Sequence, residues 1–302
     1  MANTLLKKLD NHSKDNLRLY VIGGIVVFGI GIGIWFNSIY LSPNNVFWDS
    51  FANNLSTNGF TKSQAYFNGT YDIDQKVQLS LGANNYSHSI TTLTQGKKVV
   101  TTEEINSPNY EYVRYLNIAT DQKAADKKSI SYKKDLNIWG YSKNSVSANT
   151  RSTQTFYENL FGIVPFGNLP SNEKNQLVSY ARENKVYKID YKSIKNQTIN
   201  GKSVVTLNVS VSRYGYTSLM KMFAKDVGFK GLDAVNPKQY KSLPPITMKF
   251  SIEPISRNLV QLDSGSKSGQ LSYSGFGIDP QLKLPTKFIS LIDLETKIRN
   301  NK

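Results

Sequence analysis

Hydrophobic and polar positions fall into three regimes along the chain. The first is a continuous apolar run. No charge occurs from Leu19 to Trp48, and the stretch from Leu19 to Leu41 is dominated by Ile, Val, Gly, Phe and Leu. A helix over 19–41 would be roughly 34 Å long at about 1.5 Å per residue, enough for a hydrocarbon core of about 30 Å. Tyr20, Trp35 and Tyr40 lie near its ends, where amphipathic rings favour the interface. Lys7, Lys8, Lys14 and Arg18 precede the run, and no basic residue follows it until Lys62. The positive-inside rule then places residues 1–18 in the cytoplasm as a tail. No A-x-A-like cleavage site follows the run, so it reads as an uncleaved signal anchor. Gly29 and Gly33 form one G-x-x-x-G within it, a spacing that supports helix packing. The expected organisation is a tail over 1–18, a single transmembrane helix over 19–41 and an outer domain over 42–302.

The second regime has a helical period. Phe47, Phe51 and Leu55 recur every fourth residue, with Asn44 or Asn45 as the expected cap. Further helices are expected over 153–161, over 171–183 with Ser171 as cap and Leu177, Tyr180 and Ala181 on one face, and over 217–227 with Gly228 as its stop. A final amphipathic stretch near 286–298 places Ile289, Leu291 and Ile292 near one face.

The third regime alternates with period two. Val77, Leu79 and Leu81 do so, as do Tyr86, His88 and Ile90. KKVVTTEEI, YEYVRYLNI and DLNIWGY (135–141) read as strands rich in β-branched and aromatic residues. The charged stretch 121–129 lacks periodicity and reads as a loop. Tyr187, Ile189 and Tyr191 lead to Asn200-Gly201, the signature of a tight hairpin turn, and Val205, Leu207, Val209 and Val211 return from it. Ile246, Met248, Phe250 and Ile252 alternate again, followed by NLVQL and QLSYSGF. Strict alternation gives each strand one wet and one dry face, the mark of an antiparallel sheet covered on one side. The expected fold class is α+β: an N-terminal transmembrane helix, then a curved antiparallel sheet with helices packed on its concave side.

Composition narrows the function classes. The 302 residues include no cysteine, which excludes disulfides, thiolate metal sites and thiol nucleophiles. Two histidines, His12 and His88, leave little scope for a His-ligated metal. His88 sits on an alternating strand, where a satisfied sheet histidine is expected, and Trp139 reads as core rather than as a binding platform. The chain carries 37 Lys+Arg against 22 Asp+Glu, a net charge of +15. Such a surplus attracts anionic partners such as lipid headgroups or envelope polymers. KSISYKK and YKIDYKSIK interleave basic and aromatic residues, but alternation on a wet strand face explains them, so nucleic acid is not an expected partner.

Catalytic motifs are thin. S-x-x-K occurs at Ser131–Lys134, Ser171–Lys174, Ser218–Lys221 and Ser264–Lys267, followed by Ser256-Arg-Asn258 and Lys267-Ser-Gly269. In penicillin-binding enzymes the second and third motifs are far apart, whereas here they lie eleven residues apart among hairpins. Phosphate-cradling, zinc-binding and nucleophile-elbow motifs are missing from the sequence, so neither an enzyme nor a cofactor is expected.

Three segments carry a resemblance: INGKSVVTLNVSVSRYGYTSLMK (199–221), ITMKFSIEPISRNLVQL (246–262) and LSYSGFGIDPQLKLPTKFI (271–289). They are similar to the second half of the LolA/LppX-like proteins of bacterial envelopes. The resemblance implies a half-open antiparallel barrel plugged by helices around an apolar cavity for acyl chains. It transfers no site residues, and the chain lacks the lipid-bearing Cys of many members. The expectation is therefore a membrane-anchored, extracytoplasmic, non-catalytic protein of the cell envelope that binds a lipid or other amphiphile. The alternative is a structural subunit or adhesin. The expected ligand or core face comprises Val77, Leu79, Leu81, Tyr187, Ile189, Tyr191, Val205, Leu207, Val209, Ile246, Met248 and Phe250. The bilayer, a lipid or anionic polymer, and either a second copy packing at Gly29 and Gly33 or an envelope protein complex are the expected partners.

Overall fold

A computed structural model describes residues 36–82, 85–120, 131–143, 151–265, 270–280 and 282–300. Contacts divide the chain into Met1–Val46 and Phe47–Lys302. In the first unit, Phe36–Tyr40 forms a single π-helical turn. Helix α1, Pro43–Asn54, starts there. Ser42 is its cap, its Oγ accepting from Asn45 N at 3.4 Å, and Pro43 takes the first helical position, where no N–H is needed. The expected cap at Asn44 or Asn45 is thus displaced to Ser42.

In the second unit, twelve strands form one curved sheet. β1 (Gly59–Phe67), β2 (Asp72–Ser80), β3 (Tyr86–Gln95), β4 (Lys98–Asn106), β5 (Tyr110–Ala119) and β6 (Gly140–Lys143) run as an antiparallel meander. Then come helices α2 (Arg151–Leu160) and α3 (Ser171–Glu183). A second meander follows: β7 (Tyr187–Ile199), β8 (Lys202–Val211), β9 (Ile246–Ile252), β10 (Leu259–Asp263) and β11 (Gln270–Ser274), with α4 (Arg213–Asp226) between β8 and β9. The two meanders join where β11 pairs with β1. β12 (Ile289–Ser290) and α5 (Leu291–Asn300) end the chain.

Two parts of the expected fold class are overturned. The sheet is mixed, because β12 lies parallel to β6. The 275–288 segment brings β12 back in the same direction as β6. Gly140 leaves room there for Leu291 and Leu294, whose atoms would stand 3.1 and 2.9 Å from a Cβ. The expected transmembrane helix finds no support either. Among the described residues, no helix is long and apolar enough to cross a membrane. Most of its run, with Gly29 and Gly33, lies outside the described residues, and the rest is the π-helical turn.

Local chemistry explains most elements. Asn200 (φ 51°) and Gly201 (φ 76°) make the tight turn joining β7 to β8. Helix α4 begins four residues earlier than its periodicity predicts. Ser212 caps it, its Oγ accepting from Gly215 N at 3.2 Å, and Gly215 lets Val186 approach to 3.1 Å of a Cβ position. Its end is as expected: Gly228 at φ 74° closes a Schellman motif, with Gly228 N donating to Lys225 O and Phe229 N to Ala224 O. Pro170, not Ser171, occupies the cap of α3. The expected strand over 135–141 shrinks to β6, because 133–137 turns and Asn137 adopts φ 63°. In α5 it is Leu294 that is buried, while Ile292 is 75% exposed. The expected loop over 121–129 lies outside the described residues.

A candidate amphiphile cavity beside helix α4

The interior between sheet and helices is filled with aromatic side chains. Phe47 and Phe51 of α1 pack on Tyr187 at 5.6 and 5.3 Å, and Phe47 also meets Phe250 at 5.4 Å between ring centroids. Farther along, Phe60 stacks on Phe166 at 4.2 Å, and Phe166 on Tyr273 at 5.0 Å. Of the expected ligand face, Val77, Leu79, Leu81, Tyr187, Ile189, Val205, Leu207, Val209, Met248 and Phe250 are all buried. Tyr191 is 59% exposed on β7. Tyr187 also donates its hydroxyl to Ile163 O at 2.7 Å. The apolar face is brought together, and aromatic packing occupies the space in front of it.

Open volume lies to one side. A cavity of about 570 Å³ is bounded by the end of α2, one face of α4, the 229–240 segment and the start of β9. Phe161, Met220, Leu232, Val235 and Ile246 give it apolar walls. Ile246 is the member of the expected face that reaches it. Arg213 and Glu158 also line it.

The segment after α4 forms the outer wall and is clipped in place. Lys221 Nζ donates to Asp233 O at 2.9 Å and to Val235 O at 2.7 Å. Arg213 Nε donates to Pro244 O at 2.8 Å. Phe229 stacks on Tyr157 at 4.7 Å and meets Phe161 at 5.3 Å. Gly231 makes this possible, since a Cβ there would fall 2.1 Å from the Phe229 ring. On the inner wall the Tyr216 hydroxyl donates to Gly162 O at 2.7 Å, and burial pushes its pKa up to about 12. Tyr216 therefore stays neutral across the physiological range. Periodicity could not reveal this site: Leu232, Val235 and Tyr240 sit in short 3₁₀ turns and loop. Arg213 and Tyr216 precede the expected start of their helix.

The other singled-out residues are accounted for on the opposite face. His88 Nε2 lies 2.8 Å from Glu103 Oε1, and Arg114 Nε donates to Glu103 Oε2 at 2.6 Å. Arg114 in turn stands 4.5 Å over the Trp139 ring. This is a cross-strand charge chain running over β3, β4 and β5. At one S-x-x-K match, Ser218 donates to Tyr214 O, and Lys221 is engaged as described. Among the described residues, no group of three His, Asp or Glu could hold a metal ion.

No family model matches the chain, and no curated protein matches it. Among solved structures it is similar to LprF from Mycobacterium bovis, at 11% sequence identity and a TM-score of 0.38, over 81% of this chain and 98% of that one.

Proposed function

We propose that this chain binds an amphiphile, one apolar tail with an anionic head, in the cavity beside α4. The observation that carries the reading is the cavity itself. Its volume of about 570 Å³ falls within the about 300–1,000 Å³ usual for small-molecule sites. Its walls are apolar, and Arg213 places a guanidinium in its lining. Each methylene taken from water would contribute about 0.8 kcal/mol. Arg213 spends one donor on Pro244 O, and the guanidinium carries five, so it can also bind a carboxylate or phosphate. The clipped outer wall means that little order has to be gained on binding. The protein then acts as a binding or carrier protein, with no bond made or broken.

The test is a titration of the full chain with dansyl-undecanoic acid, followed by fluorescence. Saturable enhancement is expected. Thr217→Trp, which fills the cavity from α4, should abolish it. Arg213→Gln should weaken the carboxylate probe by about tenfold, or about 1.4 kcal/mol, and leave an uncharged dansyl alkyl amide unaffected. No saturable signal, or equal binding by Thr217→Trp, would refute the reading.

A further inference from the structure

A second concavity lies on the sheet face away from the helices, and its chemistry is the reverse of the first. It measures about 720 Å³ and crosses β7 to β11. Thr206, Ser251, Gln261 and Gln270 line it, with Lys195 and Lys249 among the charged groups. Its lining is polar almost throughout, Ile199 being the apolar exception.

Register places these residues in a row. Lys195 pairs with Thr206, Thr206 with Ser251, Ser251 with Gln261 and Gln261 with Ser272, one per strand. Neighbouring strands lie about 4.8 Å apart; Thr206 and Ser251 form the buried floor of the row, and Gln197, Gln261 and Gln270 above it present the accessible hydrogen-bonding groups. An ordinary wet face is flat and covered by long side chains in water. Here the floor is made of short hydroxyls, and Thr206 and Ser251 are only 8% and 4% exposed although they face away from the core. One wall comes from the irregularity in β7 between Asp190 and Lys195, where Ser193 Oγ accepts from Asn208 N at 2.8 Å.

The amides are locked before any ligand arrives. Gln197 Nε2 donates to Thr206 Oγ1 at 2.7 Å, Thr206 Oγ1 lies 2.8 Å from Ser251 Oγ, and Gln261 Nε2 donates to Gln270 Oε1 at 2.7 Å. Each amide has two donors and two acceptor lone pairs, so each bond fixes the side chain and leaves further groups to present. Fixed donors and acceptors in a regular row suit a ligand whose own groups both donate and accept at regular intervals.

We infer that this groove is a binding site for a linear oligosaccharide lying across the strands. Sugar hydroxyls match the accessible amides of Gln197, Gln261 and Gln270, and the polar lining gives an acyl chain nothing to bury against. Carboxylated sugars would also meet Lys192 and Lys195, set against the carboxylates of Asp190 and of Asp263, the latter 3.7 Å from Lys249 Nζ. Each exchanged hydrogen bond is worth only about 0.5–1.5 kcal/mol net, so affinity comes from several sugar units acting together.

The experiment is isothermal titration of the full chain with cellotetraose and, separately, with tetragalacturonate. Saturable binding of at least one is expected. Gln261→Leu and Gln270→Leu, both on the accessible part of the groove, should each weaken it about fivefold or more while keeping the parent melting temperature. Lys195→Ala should weaken tetragalacturonate alone. Failure of both sugars to bind overturns the inference, and so does binding that both Leu variants leave unchanged. The amphiphile reading rests on a different cavity and stands or falls separately.

Discussion

Lys62 shows how one side chain is set against its surroundings. It sits on the helix-bearing face of β1, and its Nζ donates to Asn159 Oδ1 at 3.2 Å. Burial pulls its pKa down from 10.5 to about 8, and the negative charge of Glu158 offsets only part of that. Between pH 8 and 10.5 the unfolded chain therefore binds more protons than the folded one, and stability rises with pH across that window. Below about pH 8 the full penalty of burying the ammonium is present. Lys62→Met should stabilise the protein at pH 7 by an amount on the order of 1–2 kcal/mol, after the lost Asn159 contact is subtracted. The gain should fade above pH 10.5. Urea midpoints at pH 7 and pH 11 would check this, and a lower midpoint for the variant at pH 7 would contradict it.

At the scale of elements, Gly59 fixes where β1 begins. Its carbonyl accepts from Gly277 N at 3.0 Å and from the Thr57 hydroxyl at 2.8 Å. A Cβ on Gly59 would lie 2.2 Å from the Ile278 carbonyl oxygen, which is backbone and cannot swing aside. Gly59→Ala should therefore push the 275–279 crossing off the strand and cost about 1–3 kcal/mol. A thermal melt reads this directly, and an unchanged midpoint would disprove the pinning. Elements with strong local signals were legible in the sequence. The Phe47, Phe51, Leu55 stripe is 1%, 1% and 0% exposed, and the Asn200-Gly201 turn forms at the expected place. The apolar alternation of β8 and β9 named most of the buried face. What the alternation could not show is that aromatic rings from α1 and from Phe166 would fill the space in front of that face. Nor could it place the cavity wall, which is held by backbone carbonyls that carry no side-chain pattern. The polar groove was half legible: alternation marks a wet face, but its concavity depends on a register irregularity in β7. The membrane helix was read from the uncharged apolar run and the basic residues before it; most of that run lies outside the described residues, and no described helix is long and apolar enough to cross a membrane.

For Phe47–Lys302 as a whole, the decisive connection is the seam between β1 and β11. It joins a meander built before α2 to one built after α3, with Thr61 facing Ser274 and Ala65 facing Gln270. Both seam strands are paired on their other side as well: β1 with β2 along its whole length, and β11 with β10 over Gln270–Ser272. The two halves also share a core, because Phe60 of the first meander stacks on Phe166 and contacts Tyr273 of the second at 6.2 Å. Unfolding one half would strip the other of ladder bonds and of apolar cover together, which makes the transition cooperative. Two tryptophans report the halves separately. Trp139 lies under Arg114 beside β5, and Trp48 packs against Phe51 and Tyr187 at the far end of the sheet order. Single-tryptophan variants retaining one or the other should give coincident urea transitions. Ser63→Pro removes a backbone donor at the middle of the seam, where Ser63 faces Ser272 on one side and Lys76 on the other and no edge exists to tolerate it. It should lower both midpoints together. Separated transitions in the otherwise unaltered chain would show instead that each meander holds its own core and that the seam joins two independent folding units.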